Sequence, residues 1–282
     1  MNRVSRGLAA LILTVAVAVS LAGCAKRTPP EGALSGTVTA SGSTALLHLA
    51  SAAKELFEEQ HEWVTVNISG GGSFNGLNQV STGAVQIGNS DVEAPPDKYP
   101  GLVDHKVAVA PFVLVTNTDV AVENVSMEQL AAILRGEITN WSEVGGPSQP
   151  ITVVSRQQSS GSRATIVATV LKGEGDITRD ALIQDSNGKV RDGVISTPGS
   201  IGYVDAPYYD PEKMKALKID GTAYSVEAVA TGQWPIYAYE HMYTRGEPSG
   251  VTKAYLDFVL SPAFQDEYVE QLGFVPVTRM QK

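Results

Sequence analysis

The sequence predicts an α/β fold divided into two lobes, and three of its features lead to this prediction. Short β-rich runs alternate with amphipathic helical patterns through residues 36–282, as in folds that layer helices on sheets. Two apolar strand candidates are interrupted by Pro111 and Pro235, and proline is poorly tolerated inside a central strand. Segments rich in glycine and serine stand directly before several of the helices. Together these features predict two layered lobes joined by two crossing strands.

The first residues predict export from the cytoplasm. Arg3 and Arg6 precede an apolar run over residues 8–22, which is too short to span a bilayer comfortably and is typical of a secretory signal. Leu-Ala-Gly-Cys follows, and Cys24 is the only cysteine of the chain. This tetrad resembles a bacterial lipobox, so residues 1–23 are predicted to be a signal peptide and Cys24 to be lipidated. The alternative is that Cys24 is an ordinary small residue at a cleavage site.

Composition limits the remaining possibilities. Residues 24–35 lack apolar periodicity and contain two prolines, which predicts a tether from the lipid to the folded body. The chain is 43% hydrophobic, enough to form real cores, and its net charge of −9 argues against nucleic acid, whose phosphates need a basic face. A single cysteine excludes a disulfide framework and a cysteine-based zinc site.

Helix boundaries are signalled in several places. Ser43 or Thr44 can cap a helix whose apolar positions, Leu46, Leu49, Ala53, Leu56 and Phe57, keep the helical spacing. Capping residues further along the chain predict a start at Ser126 with Gln129 and an end at Gly136, starts at Asp210-Pro211 and Ser261-Pro262, and an end of the last helix at Gly273. Strands are predicted at Val64–Ile68, Val107–Val115, Ile151–Val154 and Ile236–Tyr239.

The two prolines set the predicted domain boundaries. If the strands around Pro111 and Pro235 each cross between sheets, the body consists of a discontinuous lobe I and an inserted lobe II. Lobe I would comprise residues 36–112 and 236–282, and lobe II residues 113–235. Two lobes of nearly equal length joined by two hinge strands leave a cleft between them, which is a common place for a ligand site.

Three segments before helices predict an anion site. They are Ala40-Ser-Gly-Ser-Thr44, Gly70-Gly-Gly-Ser73 and Ser159-Ser-Gly-Ser162. A helix N-terminus offers unpaired N–H groups and a partial positive charge, and glycine lets an anion approach the backbone. Each segment alone is as consistent with ordinary capping and turns, but three that converge would suit a compact tetrahedral oxyanion.

Two charged residues refine this hypothesis. Arg156 follows a predicted strand and could form a bidentate pair with an oxyanion, although it could also be a surface arginine, and Arg163 is a second basic candidate. Asp91 would repel a bound anion unless the anion has a proton for the carboxylate to accept. Phosphate at neutral pH has such a proton and sulfate has none, so Asp91 predicts selectivity for phosphate. Capping of the next segment is an equally open role for Asp91.

These motifs, in this order, resemble those of the phosphate-binding proteins of bacterial phosphate ABC transporters. The resemblance also includes Leu134-Arg-Gly-Glu-Ile-Thr-Asn-Trp141, Gly199-Ser-Ile-Gly-Tyr203 and Gln271-Leu-Gly-Phe-Val-Pro-Val277, and it covers essentially the whole mature chain. It implies a two-lobed periplasmic-binding-protein type II fold that closes around its ligand by hinge motion. It also implies a monomer without cofactor or metal, which delivers phosphate to a membrane permease and its ATPase.

The resemblance assigns roles residue by residue. Phosphate-binding groups are expected at Ser43, Thr44, Ala45, Ser73, Asp91, Arg156, Ser160, Gly161 and Ser162. Arg156 would supply charge, Asp91 would accept the phosphate proton, and the others would donate hydrogen bonds. Two positions depart from part of the family: Ala45 replaces an aromatic residue and offers only its N–H, and Gln158 replaces an acid near the arginine.

Other functions were weighed against this one. An enzyme is disfavoured because the four histidines are scattered and no Gly-x-Ser-x-Gly, Gly-x-x-x-x-Gly-Lys-Ser/Thr or His-Glu-x-x-His motif occurs. A binding protein for sulfate, molybdate or a phosphate ester is the nearer alternative, and Asp91 counts against oxyanions without a proton. A surface adhesion or signalling lipoprotein on the same scaffold stays open.

Overall fold

The computed structural model describes residues 28–281. The predicted signal peptide and the predicted lipidation site at Cys24 lie outside the described residues. Residues 28–34 contain a turn closed by the Ala33 N–H and the Pro30 carbonyl (3.0 Å), and the chain from residue 35 onward forms a compact unit of its own. Within residues 28–281 no helix has the length and apolar character needed to cross a bilayer.

The compact unit is built from short strands and helices in alternation. The strands are β1 (Gly36–Gly42), β2 (Val64–Gly70), β3 (Ile87–Ser90), β4 (Leu102–Asn117), β5 (Asn124–Val125), β6 (Thr152–Arg156), β7 (Leu182–Gln184), β8 (Ser200–Asp205), β9 (Met214–Ala216), β10 (Lys218–Ile219) and β11 (Tyr237–Arg245). The α-helices are α1 (Leu47–Gln60), α2 (Ser73–Thr82), α3 (Met127–Arg135), α4 (Gly161–Ile166), α5 (Asn187–Ser196), α6 (Val226–Ala230), α7 (Gly250–Val259) and α8 (Pro262–Glu267). Helix α4 continues into a π-helical turn, Val167–Leu171, and one-turn 3-10 helices occur at Trp141–Val144, Ala206–Tyr208 and Val277–Arg279.

One mixed sheet organises the described chain. Its strand order is β2-β1-β3-β11-β4-β8-β6-β7, with β9 paired to β4, and β5 and β10 form a separate two-stranded sheet. Strands β1, β2 and β3 run parallel to one another, as do β6, β7 and β8, whereas β11 and β4 run antiparallel to their neighbours. The α/β class predicted from the sequence is therefore confirmed.

Strand β4 changes partner at its proline. Its first part pairs with β11 up to Pro111, which lies opposite Tyr237, and its last part pairs with β8 from Phe112 onward. The Phe112 N–H still donates to the Ile236 carbonyl (2.9 Å), just before β11 begins. Two parallel-stranded groups are thus joined through β4 and β11. The lobe boundaries at residues 112/113 and 235/236 stay a prediction.

Two tryptophans close the core around this junction. Trp234 and Trp141 are both fully buried, and each indole N–H has a carbonyl partner: Phe112 for Trp234 (3.0 Å) and Gly199 for Trp141 (2.9 Å). A buried aromatic residue with a satisfied polar group adds apolar contact without leaving an unpaired donor. The Trp234 bond fixes β4 relative to the segment before β11, and the Trp141 bond fixes the 3-10 helix at Trp141–Val144 relative to the start of β8.

Of the six predicted helix boundaries, three are confirmed and three are wrong. Helix α1 begins at Leu47 without a side-chain cap, because Ser43 and Thr44 lie in the turn that precedes it. The Ser126–Gln129 capping box, the left-handed Gly136 and the Ser261 cap are all present. At Asp210-Pro211 the chain makes only one turn, because Met214 begins β9 and pairs with Asn117 of β4. The last helix, α8, ends at Glu267, and Gly273 lies beyond a run of turns.

Candidate functional site

The first predicted anion segment is the turn between β1 and α1. Helix α1 begins only at Leu47, and Ser43 acts upstream of it: its Oγ accepts the N–H groups of Ala45 (3.0 Å) and Leu46 (3.2 Å). The Ser43 N–H donates to the Asn89 carbonyl (2.9 Å), which ties the turn to the end of β3. Ala45 is fully buried, and its methyl group packs in the hydrophobic core. In this structure the Ala45 N–H is therefore engaged within its own turn.

Thr44 links this turn to distant parts of the chain. Its Oγ1 accepts the backbone N–H and the side-chain Nδ2 of Asn187, both at 3.3 Å, and its carbonyl accepts the Tyr208 hydroxyl (3.1 Å). Asn187 is the first residue of α5 and is fully buried. A fourth helix start, which the sequence analysis did not select, therefore meets the first segment.

The second and third segments contact each other directly. The Phe74 N–H donates to the Ser159 carbonyl (3.2 Å), and a Cβ on Gly72 would lie 2.5 Å from that same oxygen. A Cβ on Gly161 would lie 2.3 Å from Ser73 Oγ. Glycine is therefore required at both positions because the two segments approach at backbone distance.

Asp91 lies between these two segments. Its backbone N–H donates to Ser73 Oγ (3.0 Å), and its Oδ2 accepts the Ser162 hydroxyl (2.8 Å). Asp91 is 4% exposed, and its Oδ1 has no hydrogen-bond partner among the described residues. One carboxylate oxygen of Asp91 is thus held by Ser162, while the other is free to accept a proton. Nearby in the chain, Ser160 caps α4 by accepting the Arg163 N–H (3.2 Å).

Arg156, the last residue of β6, is 1% exposed. Its Nη2 donates to the Asp185 carbonyl (3.1 Å), whereas Nε and Nη1 have no partner in the described part of the chain. Burial lowers the pKa of Arg156, and the charge of Asp91 opposes this effect, but a guanidinium stays protonated at neutral pH. Two charged N–H groups are thus buried without an acceptor, which is the geometry that a bidentate oxyanion would complete.

The other basic candidate is engaged elsewhere. Arg163 Nη2 pairs with Asp176 Oδ1 (2.6 Å), and its Nη1 donates to Gln158 Oε1 (3.1 Å). Gln158, one of the two departures from the family pattern, therefore contacts Arg163. Arg156, by contrast, keeps Nε and Nη1 free of hydrogen-bond partners within the described residues, and its charge interacts with that of Asp91.

The structure adds two buried carboxyl groups that the sequence analysis missed. Asp205 ends β8 and Glu240 lies within β11; both are fully buried, and neither carboxyl has a hydrogen-bond partner among the described residues. Burial raises the pKa of Asp205 well above its usual range, and the charge of Asp91 raises it further. For Glu240, burial raises the pKa well above its usual range, with further increases from the charges of Asp91 and Asp205.

A signal for these two residues was present in the sequence. Each acid ends a short apolar or aromatic run, Ile201-Gly-Tyr-Val-Asp205 and Tyr237-Ala-Tyr-Glu240, and an acid is almost never fully buried unless it is partnered. The sequence could not reveal that both acids lie near enough to Asp91 for its charge to act on them. Asn89, two residues before Asp91, also has both polar atoms of its side-chain amide buried and unpartnered in the described chain.

The assembled groups are suited to an oxyanion that has a proton. Arg156 offers two guanidinium nitrogens without acceptors, and the hydroxyls of Ser73 and Ser162 contact Asp91. Asp91 Oδ1 supplies an acceptor. Across the described residues, no three His, Cys, Asp or Glu side chains are arranged to hold a metal ion. The chemistry available here is recognition by hydrogen bonds and charge in a buried site, where each is strengthened.

A cleft open to solvent lies next to Asp91. It has a volume of about 400 Å³ and is lined by Asp91, Ala164, Ala168, Tyr237 and Tyr239, among others. It gives the Asp91 side of the site a boundary with solvent.

Comparisons with known proteins identify the family of this chain. Residues 27–263 match the family model described as the PBP superfamily domain. The chain is 41% identical to the phosphate-binding protein PstS of Bacillus subtilis (strain 168) over 281 residues, which is 97% of this chain and 93% of that protein. It is 28% identical to the phosphate-binding protein PstS of Borreliella burgdorferi over 79% of this chain and 80% of that protein.

Solved structures extend the similarity to the fold. A protein from Clostridium perfringens assigned as a phosphate ABC transporter substrate-binding protein, crystallised with bound phosphate, superposes with a TM-score of 0.81. The two are 28% identical, and the match covers 86% of this chain and all of that one.

Proposed function

Since this chain belongs to the PBP superfamily and, within it, to the phosphate-binding proteins named PstS, we propose that it binds inorganic phosphate and delivers it to an ABC transporter for uptake. It does so as a binding protein outside the cytoplasm. Its relatives in the comparisons are binding proteins, and the site described above offers recognition groups rather than an activated nucleophile.

The observation that carries the proposal is that the buried side chains of Arg156 and Asp91 each have polar atoms without a hydrogen-bond partner. The guanidinium presents Nε and Nη1 without partners, and the carboxylate presents Oδ1 without one. A phosphate ion carries oxygens for the first and a proton for the second. A fully deprotonated oxyanion would satisfy Arg156 but would place its lone pairs against those of Asp91, at the cost of an unpaired buried charge.

We assign phosphate contacts to the three segments and the two charged residues. The assigned residues are Ser43, Thr44, Ala45, Ser73, Asp91, Arg156, Ser160, Gly161 and Ser162, and Asn187 joins them through its bonds to Thr44. Because the Ala45 N–H donates to Ser43 Oγ, Ala45 can donate to the ligand only if that turn adjusts when the ligand binds, whereas the Ser43 hydroxyl keeps its own proton to donate. We further propose that β4 and β11 act as the hinge between the lobes.

Isothermal calorimetry of the purified chain with phosphate and with sulfate tests the function. Phosphate should bind with a dissociation constant at least about 10⁴ times lower than that of sulfate, as expected when a buried acceptor rejects a ligand that lacks its proton. Asp91→Asn should reduce this preference, because an amide can also donate to sulfate. Equal affinity of the unaltered chain for the two anions would refute the proposal, and sulfate-selective or molybdate-selective binding would favour the nearest alternative.

Membrane attachment through lipid at Cys24 is a separate part of the proposal. It is supported by the Leu-Ala-Gly-Cys tetrad and by the position of the only cysteine. Cys24→Ala should release the protein from the membrane fraction of expressing cells without changing its affinity for phosphate. Retention of this variant in the membrane fraction would show that another element anchors the chain.

A further inference from the structure

Glu240 is a buried acid beside the proposed phosphate site. It lies in β11 with no exposed surface, and both of its carboxyl oxygens are without a hydrogen-bond partner in the described chain. The same is true of Asp91 Oδ1. If both carboxyl groups were ionised, these three buried oxygens without partners would destabilise the folded protein. The distance between the two groups therefore determines whether they can share a proton.

Sheet register places Glu240 level with Asp91. Strands β3 and β11 pair antiparallel, with Asn89 opposite Met242 and Ser90 opposite His241. Strand β3 ends at Ser90, and one residue further in that register Asp91 comes level with Glu240. Side chains directly opposite in an antiparallel pair lie on the same side of the sheet, with Cβ atoms about 5 Å apart, so the two carboxyl groups lie close together.

A β-bulge in β4 lies opposite the step from Glu240 to His241. Glu240 lies opposite Ala108 and His241 opposite Lys106, so Val107 of β4 is the extra residue. Because β11 has no extra residue here, the alternation of its side chains continues through Glu240. His241 Nδ1 bonds to Asp104 Oδ1 (2.8 Å), so the histidine is not available to neutralise Glu240.

The charged groups on the surrounding elements are committed elsewhere or are acidic. On β4, Lys106 pairs with Glu93 (3.4 Å), and His105 Nε2 bonds to Thr244 Oγ1 (3.1 Å). On α4, Arg163 pairs with Asp176, and α2 has no titratable side chain. The end of β8 contributes Asp205, and β6 contributes Arg156, whose charge interacts with Asp91 and Asp205. Glu240 therefore faces two acids and no cation of its own.

We propose that Glu240 is a neutral carboxylic acid that donates its proton in a hydrogen bond to Asp91 Oδ1 and so positions Asp91 to accept the proton of phosphate. This proposal rests on the proposed function. Ser162 holds Asp91 Oδ2 and Glu240 holds Oδ1, which leaves lone pairs on the carboxylate for the ligand. Burial, which raises the pKa of Glu240, agrees with the neutral form.

The charge of the site follows from this assignment. With Glu240 and Asp205 neutral, the carboxylate of Asp91 and the guanidinium of Arg156 cancel, and the anion enters a site without net side-chain charge. With both acids ionised, the same site would carry a net negative charge and would repel phosphate. Glu240 is thus a positioning residue whose protonation is also a condition for binding.

Two substitutions in the purified full chain test the proposal by calorimetry with inorganic phosphate at neutral pH. Glu240→Gln keeps a donor without charge and should leave the dissociation constant within about threefold of the unaltered chain. Glu240→Leu removes the donor and should weaken binding by about 10- to 100-fold, the effect expected for a hydrogen bond to a charged group. Thermal unfolding checks that each variant is folded.

Infrared difference spectroscopy provides a readout that a purely structural role would not move. The spectrum of the unaltered chain minus that of Glu240→Gln should contain the C=O stretch of a protonated carboxyl group at neutral pH. Glu212→Gln, at an exposed glutamate, is the matched control and should remove a carboxylate band instead. If Glu240→Leu does not fold, the spectrum and the affinity of Glu240→Gln still decide the matter.

Several outcomes would overturn the inference. These are loss of a carboxylate band in Glu240→Gln, a change in its affinity of more than about tenfold in either direction, or a folded Glu240→Leu that binds phosphate as the unaltered chain does. An unaltered chain that does not bind phosphate at all would instead refute the proposed function.

Discussion

Single residues at the site show how a buried charge is held ready for a ligand. Arg156 is almost fully buried, with one guanidinium nitrogen on the Asp185 carbonyl and two without partners. Leaving charged donors without acceptors destabilises the protein by itself. A bound anion removes this cost, so part of the binding free energy comes from groups that the fold already holds in place.

Gly161 is important to the site because it has no side chain. An alanine Cβ there would lie 2.3 Å from Ser73 Oγ, 2.8 Å from Ser73 Cβ and 3.0 Å from Asp91 Cβ. These are buried atoms near the backbone, so the start of α4 must move away from the start of α2 and from Asp91. We expect Gly161→Ala to weaken phosphate binding by about 10- to 100-fold, or about 1.4 to 2.7 kcal/mol, measured by calorimetry.

Gly188→Ala is the matched control for this prediction. Its added methyl group would lie 3.6 Å from Tyr208 Cε1, an ordinary contact, and Gly188 is in the first turn of α5. Alanine there should leave phosphate affinity unchanged and stabilise the helix by about 0.5 to 1 kcal/mol. If both glycine variants bind phosphate like the unaltered chain, close approach at Gly161 is not needed for the site.

At the scale of elements, helix boundaries were predictable where the signal is local. The Ser126–Gln129 capping box and Gly136 define α3 by contacts within a few residues, so composition and spacing were sufficient. The start predicted at Asp210-Pro211 failed because β9 pairs with β4, about a hundred residues earlier in the chain. A local capping pattern favours a helix, whereas long-range strand pairing favours a strand, and sequence spacing alone does not show which structure forms.

Helix α3 permits a test of stability that is independent of the site. Ser126 Oγ accepts the Gln129 N–H (3.0 Å), and Gln129 Oε1 accepts the Ser126 N–H (2.9 Å). Ser126→Ala should reduce the free energy of unfolding by about 1 kcal/mol, measured by urea denaturation, with phosphate affinity unchanged. Ser148→Ala, at an exposed serine, is the control and should have no effect. A drop in phosphate affinity for Ser126→Ala would mean that α3 supports the site directly.

At the scale of the whole molecule, the site depends on contacts between distant segments. The three glycine- and serine-rich segments were visible in the sequence because each has a local role, in a turn or at a helix start. Asn187, Asp205 and Glu240 were not selected, because their importance lies in contacts or charge interactions with residues far away in the chain: Asn187 with Thr44, and the two acids with Asp91. The sequence could suggest that an anion site exists and supply part of its lining, but the remaining groups required strand order and register.

The two buried acids also make a prediction for the stability of the whole fold. An unfolded chain titrates glutamate and aspartate near pH 4, whereas burial raises the pKa of Glu240 and Asp205 well above that in the folded state. Between the two pKa values the folded state binds more protons than the unfolded state. The stabilisation is therefore complete below about pH 4 and is lost as pH rises toward the folded pKa, at about 1.4 kcal/mol per pH unit for each group.

Glu240→Gln isolates one of these contributions. Exposed acids whose pKa is lowered by an ion pair, such as Glu137 and Asp210, change stability in the opposite direction, but they are the same in both proteins and cancel in the comparison. Without phosphate, the free energy of unfolding of Glu240→Gln relative to the unaltered chain should rise by about 1.4 kcal/mol per pH unit between pH 5 and 7, measured by urea denaturation. Glu212→Gln should show no such slope. Parallel pH profiles for Glu240→Gln and the unaltered chain would mean that Glu240 ionises at its ordinary pKa in the folded protein, and the neutral acid beside Asp91 would have to be abandoned.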